Sequence, residues 1–171
     1  MKKLCSLTCK AIDLTTVYLS PAVDLAIRLF MANIFFKSGM LRFKDFWNGQ
    51  WDAQITAFTE YHPIPGVPGE LAAIGGTVGE LVLPILLAFG LMTRVGAGGL
   101  LVMTLVIQFV VPADYGVANA DHYMWMLLLL VPLTRGGGVL SLDYLACKFL
   151  CKKSACDSGA CDTENSEEKE A

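Results

Sequence analysis

The chain has 171 residues, 54% of them hydrophobic and 17% charged, with a formal net charge of -3. Its mean hydropathy of +0.53 is too apolar for an ordinary soluble domain of this length and points to a small integral membrane protein. No basic stripe marks a surface for nucleic acid, which is excluded as a partner.

Residues 1–20 hold a lysine pair but are broken by Cys9, Lys10 and Asp13 before any continuous apolar run. They read as a cytoplasmic lead-in, amphipathic through Leu4, Leu7, Ile12, Leu14 and Val17, rather than a cleaved signal peptide. Pro21 suits the first turn of a helix, and the first predicted span follows over 22–41. This span is unusually polar, carrying Asp24, Arg28, Asn33 and Lys37. Asp24 and Arg28 are four residues apart and can pair along one helix face. Arg28 and Lys37 are nine apart, which at about 100° per residue sets them on opposite faces.

Between 43 and 69 the chain leaves the bilayer but stays aromatic. Phe43, Trp47, Trp51, Ile55 and Phe58 recur at helical spacing, the pattern of an amphipathic helix lying in the headgroup layer. Pro63, Pro65 and Pro68 then forbid regular structure and make this segment a cap over one mouth of the bundle.

The second predicted span, 71–92, is the one around which the chain is organised. At about 1.5 Å per residue it can cross a hydrocarbon core of about 30 Å, yet Glu80 sits at its middle. A charge there costs roughly 2.5 to 3.5 kcal/mol even on insertion scales, so Glu80 must be paired, protonated or turned to an interior cavity. Gly75 and Gly79 offer a groove for a neighbouring helix, and Pro84 bends the span one turn later.

The third span, 95–111, opens on Gly96, Gly98 and Gly99 and carries Gln108 near its far end. After a turn at Pro112, Asp114 and Gly116 comes the fourth, 117–134, entered through Asn119, Asp121 and His122. The run 136–143, GGGVLSLD, ends it and starts a short juxtamembrane helix with Ser141 as a cap. Residues 147–171 form an acidic, cysteine-bearing tail expected to be disordered.

The expected fold is therefore all-α. It is an integral membrane four-helix bundle over residues 21–146, with an extra-membrane interfacial amphipathic helix between spans 1 and 2. Basic residues cluster before the first span, at Arg94, and after the fourth, so both termini are expected in the cytoplasm. By depth, Lys37, Glu80, Gln108 and His122 converge on the outer half of the bundle, with Arg28 reaching up from below. These five form the candidate intramembrane ligand site. Asp24, Arg94, Ser141 and Asp143 are expected to serve structural polar roles. A plain alternative is that Glu80 pairs with Lys37 or Arg28 and only staples two helices. Lysine and histidine donors over an apolar wall would suit a ring with polar edges, such as a quinone.

The six cysteines all lie outside the spans, and a reducing compartment argues against structural disulfides there. Cys147, Cys151, Cys156 and Cys161 are candidate ligands for copper(I) or zinc, although their spacings differ from those of common zinc sites.

The stretches IRLFMANIFFKSGMLRF in the first span, TVGELVLPILLAFGLMTR in the second and GGGVLSLD after the fourth together resemble the DoxX family of small four-span bacterial membrane proteins. The resemblance covers about residues 20–146. It implies residence in the bacterial inner membrane, contact with lipid, and a redox-associated role, since the family's archetype is similar to a subunit of a thiosulfate:quinone oxidoreductase. It also implies a partner subunit or homo-oligomer, quinone as a cofactor, a link to stress response, and Lys37, Glu80 and Arg94 as the polar features of the spans. A second reading makes the protein a non-enzymatic accessory in metal or thiol-stress handling, or a membrane assembly factor.

Overall fold

The computed structural model describes residues 14, 19–61, 63–111 and 119–157, with side chains to residue 149. Residues 1–13 and 15–18 of the lead-in, His62, the turn at 112–118 and the tail beyond 157 lie outside it, and with them Cys5, Cys9 and Cys161. The described residues are all helical or loop, with no strand among them.

Helix α1 runs Ser20–Trp47, with Pro21 in its first turn. It is six residues longer at its C-terminal end than the predicted span and absorbs Phe43 and Trp47. The interfacial aromatics are thus divided between two elements rather than carried on one helix. The division falls at Asn48 and Gly49, where Gly49 takes φ of 74°. Helix α2, Trp51–Thr56, follows and widens into a π-helical turn, Ala57–Tyr61. The ring of Trp51 packs edge-on against Phe46, so α2 folds back on the end of α1.

Helix α3 is Gly69–Phe89, and it ends at Gly90 in the left-handed conformation with φ of 67°. Helix α4 is Thr93–Leu105 and continues as a second π-helical turn, Val106–Val110. Helix α5, Ala120–Arg135, starts with the Asn119 side chain accepting a hydrogen bond from the Asp121 N–H. Helix α6, Leu142–Asp157, begins where the Ser141 hydroxyl accepts from the Tyr144 N–H at 3.1 Å.

The four long helices form a ring in which α1 packs on α3, α3 on α4, α4 on α5, and α5 returns to α1. Met31, Phe35, Leu87, Ala97, Leu100 and Leu129 fill its centre. Close approach is set by small residues. A Cβ on Gly39 of α1 would stand 2.9 Å from the Glu80 carbonyl carbon and oxygen, and one on Gly96 of α4 3.1 Å from the Leu83 carbonyl oxygen. Of the predicted glycine groove on α3, Gly79 meets Met103 while Gly75 faces open space.

Two segments, Gly69–Phe89 and Thr93–Val110, are long and apolar enough to cross a membrane. Helix α5 has 16 residues, shorter than a full crossing needs, and α1 carries six charged side chains. About two thirds of each candidate span stays unburied within the chain, with 33% and 28% buried. That apolar outer surface is what a bilayer would cover.

Candidate functional site

Glu80 is the centre of the site because two local features bring a cation to it. Gly39 lets α1 and α3 touch at Glu80 itself, and Arg42, three residues on, lies on the same face of α1. Its Nη1 donates to Glu80 Oε1 at 2.8 Å. The carboxylate is nearly enclosed, at 4% side-chain exposure, whereas Arg42 keeps 19%. Pro84 contributes a second effect: having no N–H, it cannot donate the usual helical bond to the Glu80 carbonyl, beside which Gly39 packs.

The pair forms the polar edge of a cavity of about 250 Å³. Its floor and walls come from Ala72, Gly75 and Gly76 of α3, Val102, Met103, Val106 and Ile107 of α4, and Val111 beyond. Phe58 and Ile64 close it from the segment after α1. The Phe58 ring lies 5.0 Å from the Arg42 guanidinium carbon, a cation–π contact, and a Cβ on Gly76 would be 2.9 Å from the same ring. Both π-helical turns therefore border this cavity, one through Phe58 and the other through Val106 and Ile107. Such turns widen a helix locally and recur at functional sites.

The five sequence-predicted site residues separate into four places. Glu80 stands at the cavity, but Lys37 is exposed on the outside of α1, and Arg42 is the cation that reaches the carboxylate. Gln108 and His122 come together, as their depths suggested, but on the α4–α5 side. His122 Nδ1 and Gln108 Oε1 are 2.8 Å apart, and the Asn119 N–H also donates to that oxygen at 3.3 Å. Because a backbone N–H can only donate, Oε1 is the acceptor and His122 carries its proton on Nδ1 in the neutral ring. The imidazole packs 5.0 Å from the Trp125 ring, which in turn meets Phe35 edge-on at 5.7 Å.

Arg28 belongs to the opposite end of the bundle. It is fully buried and donates through Nη2 to the Leu140 carbonyl at 2.6 Å, while Nε and Nη1 have no hydrogen-bond partner among the described residues. Asp24 pairs with Arg135 at 3.1 Å rather than along its own helix with Arg28. Arg94 makes a long hydrogen bond of 3.4 Å to the Thr134 carbonyl. Asp143 caps α4 from fifty residues away: its carboxylate accepts from the Met92 N–H at 2.8 Å and from the Thr93 N–H and hydroxyl at 3.0 Å each. Gly137 is buried in the same place, where a Cβ would stand 2.6 Å from the Thr93 hydroxyl.

Burial pushes the Asp143 carboxyl up, but the two backbone donors, the Thr93 hydroxyl and the nearby Arg28 charge outweigh it and hold it below the usual range. A depressed carboxylate contributes stability above its unfolded pKa and loses it as pH falls through the folded one. Asp143→Ala should therefore cost about 1 kcal/mol at neutral pH, the worth of a helix cap. The difference from wild type should vanish below the carboxylate range, as read by thermal unfolding in detergent across an acid series.

Arg42 is the site residue that sequence reasoning missed, because it falls one residue beyond the predicted first span, 22–41. The signal was present: Gly39 and Arg42 share a helix face, and nothing between Leu41 and Trp47 ends a helix. Among the described residues no three His, Cys, Asp or Glu side chains cluster as a metal site, and Cys147 is exposed on α6. The other tail cysteine side chains lie outside the described residues.

An all-helical chain with two segments fit to cross a bilayer, and an ion pair at the edge of an apolar cavity, defines the class as a helical membrane protein. Residues 23–113 match the DoxX family model, and the chain belongs to the DoxX family, a family of membrane proteins. It is similar to an uncharacterized protein of Haemophilus influenzae, at 34% identity over 130 residues, covering 72% of this chain and 83% of that one. No solved structure matches it.

Proposed function

We propose that this protein is a redox-associated subunit of the bacterial inner membrane that binds a quinone-like ligand in the cavity beside Arg42 and Glu80. Four spans cross the bilayer in this reading, with α2 at its outer surface and both termini in the cytoplasm. The observation that carries the proposal is an apolar chamber whose polar edge is a paired Arg42 and Glu80.

The residues present fit such a group. A quinone head is a flat apolar ring with carbonyl acceptors, and the chamber offers hydrocarbon walls, the Phe58 ring and a guanidinium. Arg42 presents five N–H donors, of which the contact to Glu80 engages one, so the fork retains donors for a carbonyl oxygen. Because Glu80 neutralises Arg42, the site favours a neutral acceptor over an anion such as a phosphate headgroup. When bound, a quinone would accept electrons from a partner subunit. The chain's part is to orient the ring, exclude water, and keep a carboxylate at Glu80 near the protons that quinone reduction consumes.

Extraction in mild detergent and mass spectrometry of the purified protein tests this. Wild type should retain quinone, and Glu80→Gln, which leaves the shape but removes the charge that holds Arg42, should retain at most about one tenth as much, the loss of roughly one charge-assisted hydrogen bond. Equal retention in both, or none in wild type, would count against the proposal.

A further inference from the structure

Asn33 lies in the middle of α1, thirteen residues from Ser20 and fourteen from Trp47, which puts it about 20 Å from either end. It is exposed, and among the described residues its carboxamide makes no hydrogen bond. It stands on the rim of a second cleft, of about 270 Å³, lined by α1 and α3 beside Pro84. The short side chains of Ala32 and Ala88 leave room for another helix to approach, and apart from Asn33 the lining is apolar.

We infer that this face binds a second copy of the chain, with Asn33 hydrogen-bonded to the partner's Asn33 across a two-fold axis normal to the membrane. The inference rests on α1 crossing the bilayer, and not on the quinone reading. A lipid chain can fill an apolar cleft but cannot satisfy a carboxamide. At mid-depth Asn33 is too short to reach water or headgroups.

A second copy solves the problem by symmetry. Two molecules inserted with the same orientation hold residue 33 at the same depth, and an asparagine carries both donor and acceptor, so the pair is self-complementary. A buried asparagine sets partner and register in the same way at coiled-coil interfaces. Lys37, one turn toward the outer surface, would not oppose the contact, because its long side chain can carry the ammonium out to the headgroups.

Energy transfer between full-length copies fused to donor and acceptor fluorescent proteins, in phosphatidylcholine vesicles over a wide range of protein-to-lipid ratio, tests this. Wild type should associate reversibly, and Asn33→Leu should weaken association by about threefold to thirtyfold, the range of interhelical hydrogen bonds in lipid. Ala88→Phe, which fills the cleft without touching Asn33, should also weaken it, and Leu127→Ala on the exposed face of α5 should leave it unchanged. Circular dichroism checks that each variant is folded, and if Asn33→Leu is not, Ala88→Phe decides. Absence of transfer in wild type at every ratio would overturn the inference and leave the cleft to lipid or to a different chain. So would association of folded Asn33→Leu, or of Ala88→Phe, equal to that of wild type.

Discussion

Arg42→Leu is expected to destabilise the protein by about 3 to 5 kcal/mol, because it removes the cation paired with a carboxylate that is only 4% exposed. Glu80→Leu should cost less. It leaves Arg42, which is 19% exposed and long enough to swing its guanidinium to the headgroup layer. The double variant Arg42→Leu with Glu80→Leu should recover most of the loss, since apolar replacements of a buried pair are often neutral or better. Unfolding by denaturing detergent, followed by circular dichroism, measures all three. Small and additive effects would mean that the pair is already solvated and is not the hub of the site. Recovery in the double variant with loss of quinone retention would separate the two roles: the pair would be dispensable for the fold and kept for the ligand.

Gly90→Ala should be the most damaging single-methyl change among the described glycines, at about 2 to 5 kcal/mol, combining left-handed strain with overpacking. Gly90 has φ of 67°, and a Cβ there would run into Arg28 Nη1 and lie 2.6 Å from the Ser141 Cβ. Neither neighbour can easily give way. Arg28 is fully buried with its Nη2 on the Leu140 carbonyl, and the Asp143 N–H donates to the Gly90 carbonyl at 3.0 Å. Gly49→Ala is the control: its φ is 74°, but nothing lies within 4 Å of the added carbon. It should show the strain alone, about 1 to 2 kcal/mol. Equal costs at the two glycines would mean that the Arg28 cluster yields freely.

The membrane character and the helices were legible because they follow from composition and periodicity. Pro21, Asn119 and Ser141 mark helix ends in the structure as their chemistry requires, whereas Gly90 ends α3 two residues short of the predicted span end at 92. The end of α1 was less legible, because Phe43 and Trp47 suit both a long helix and a separate interfacial one, and only the left-handed Gly49 divides them. Glu80 could be singled out as a charge in an apolar helix, but its partner could not. Depth counting compares positions along helices, whereas the pairing depends on rotation about them and on where Gly39 lets the backbones touch. The same gap sent Gln108 and His122, at similar depth, to a different face. Asp143 was named for a structural role, but that it caps α4 across fifty residues is a tertiary fact that local spacing does not contain.

Labelling the purified wild-type protein with a photoreactive quinone, followed by peptide mapping, tests the central claim most directly. The account predicts attachment within the segments that carry Phe58 and Met103, competed by unmodified quinone and lost in the folded double variant lacking Arg42 and Glu80. Attachment confined to the segment around His122, or labelling of equal strength in that double variant, would contradict it.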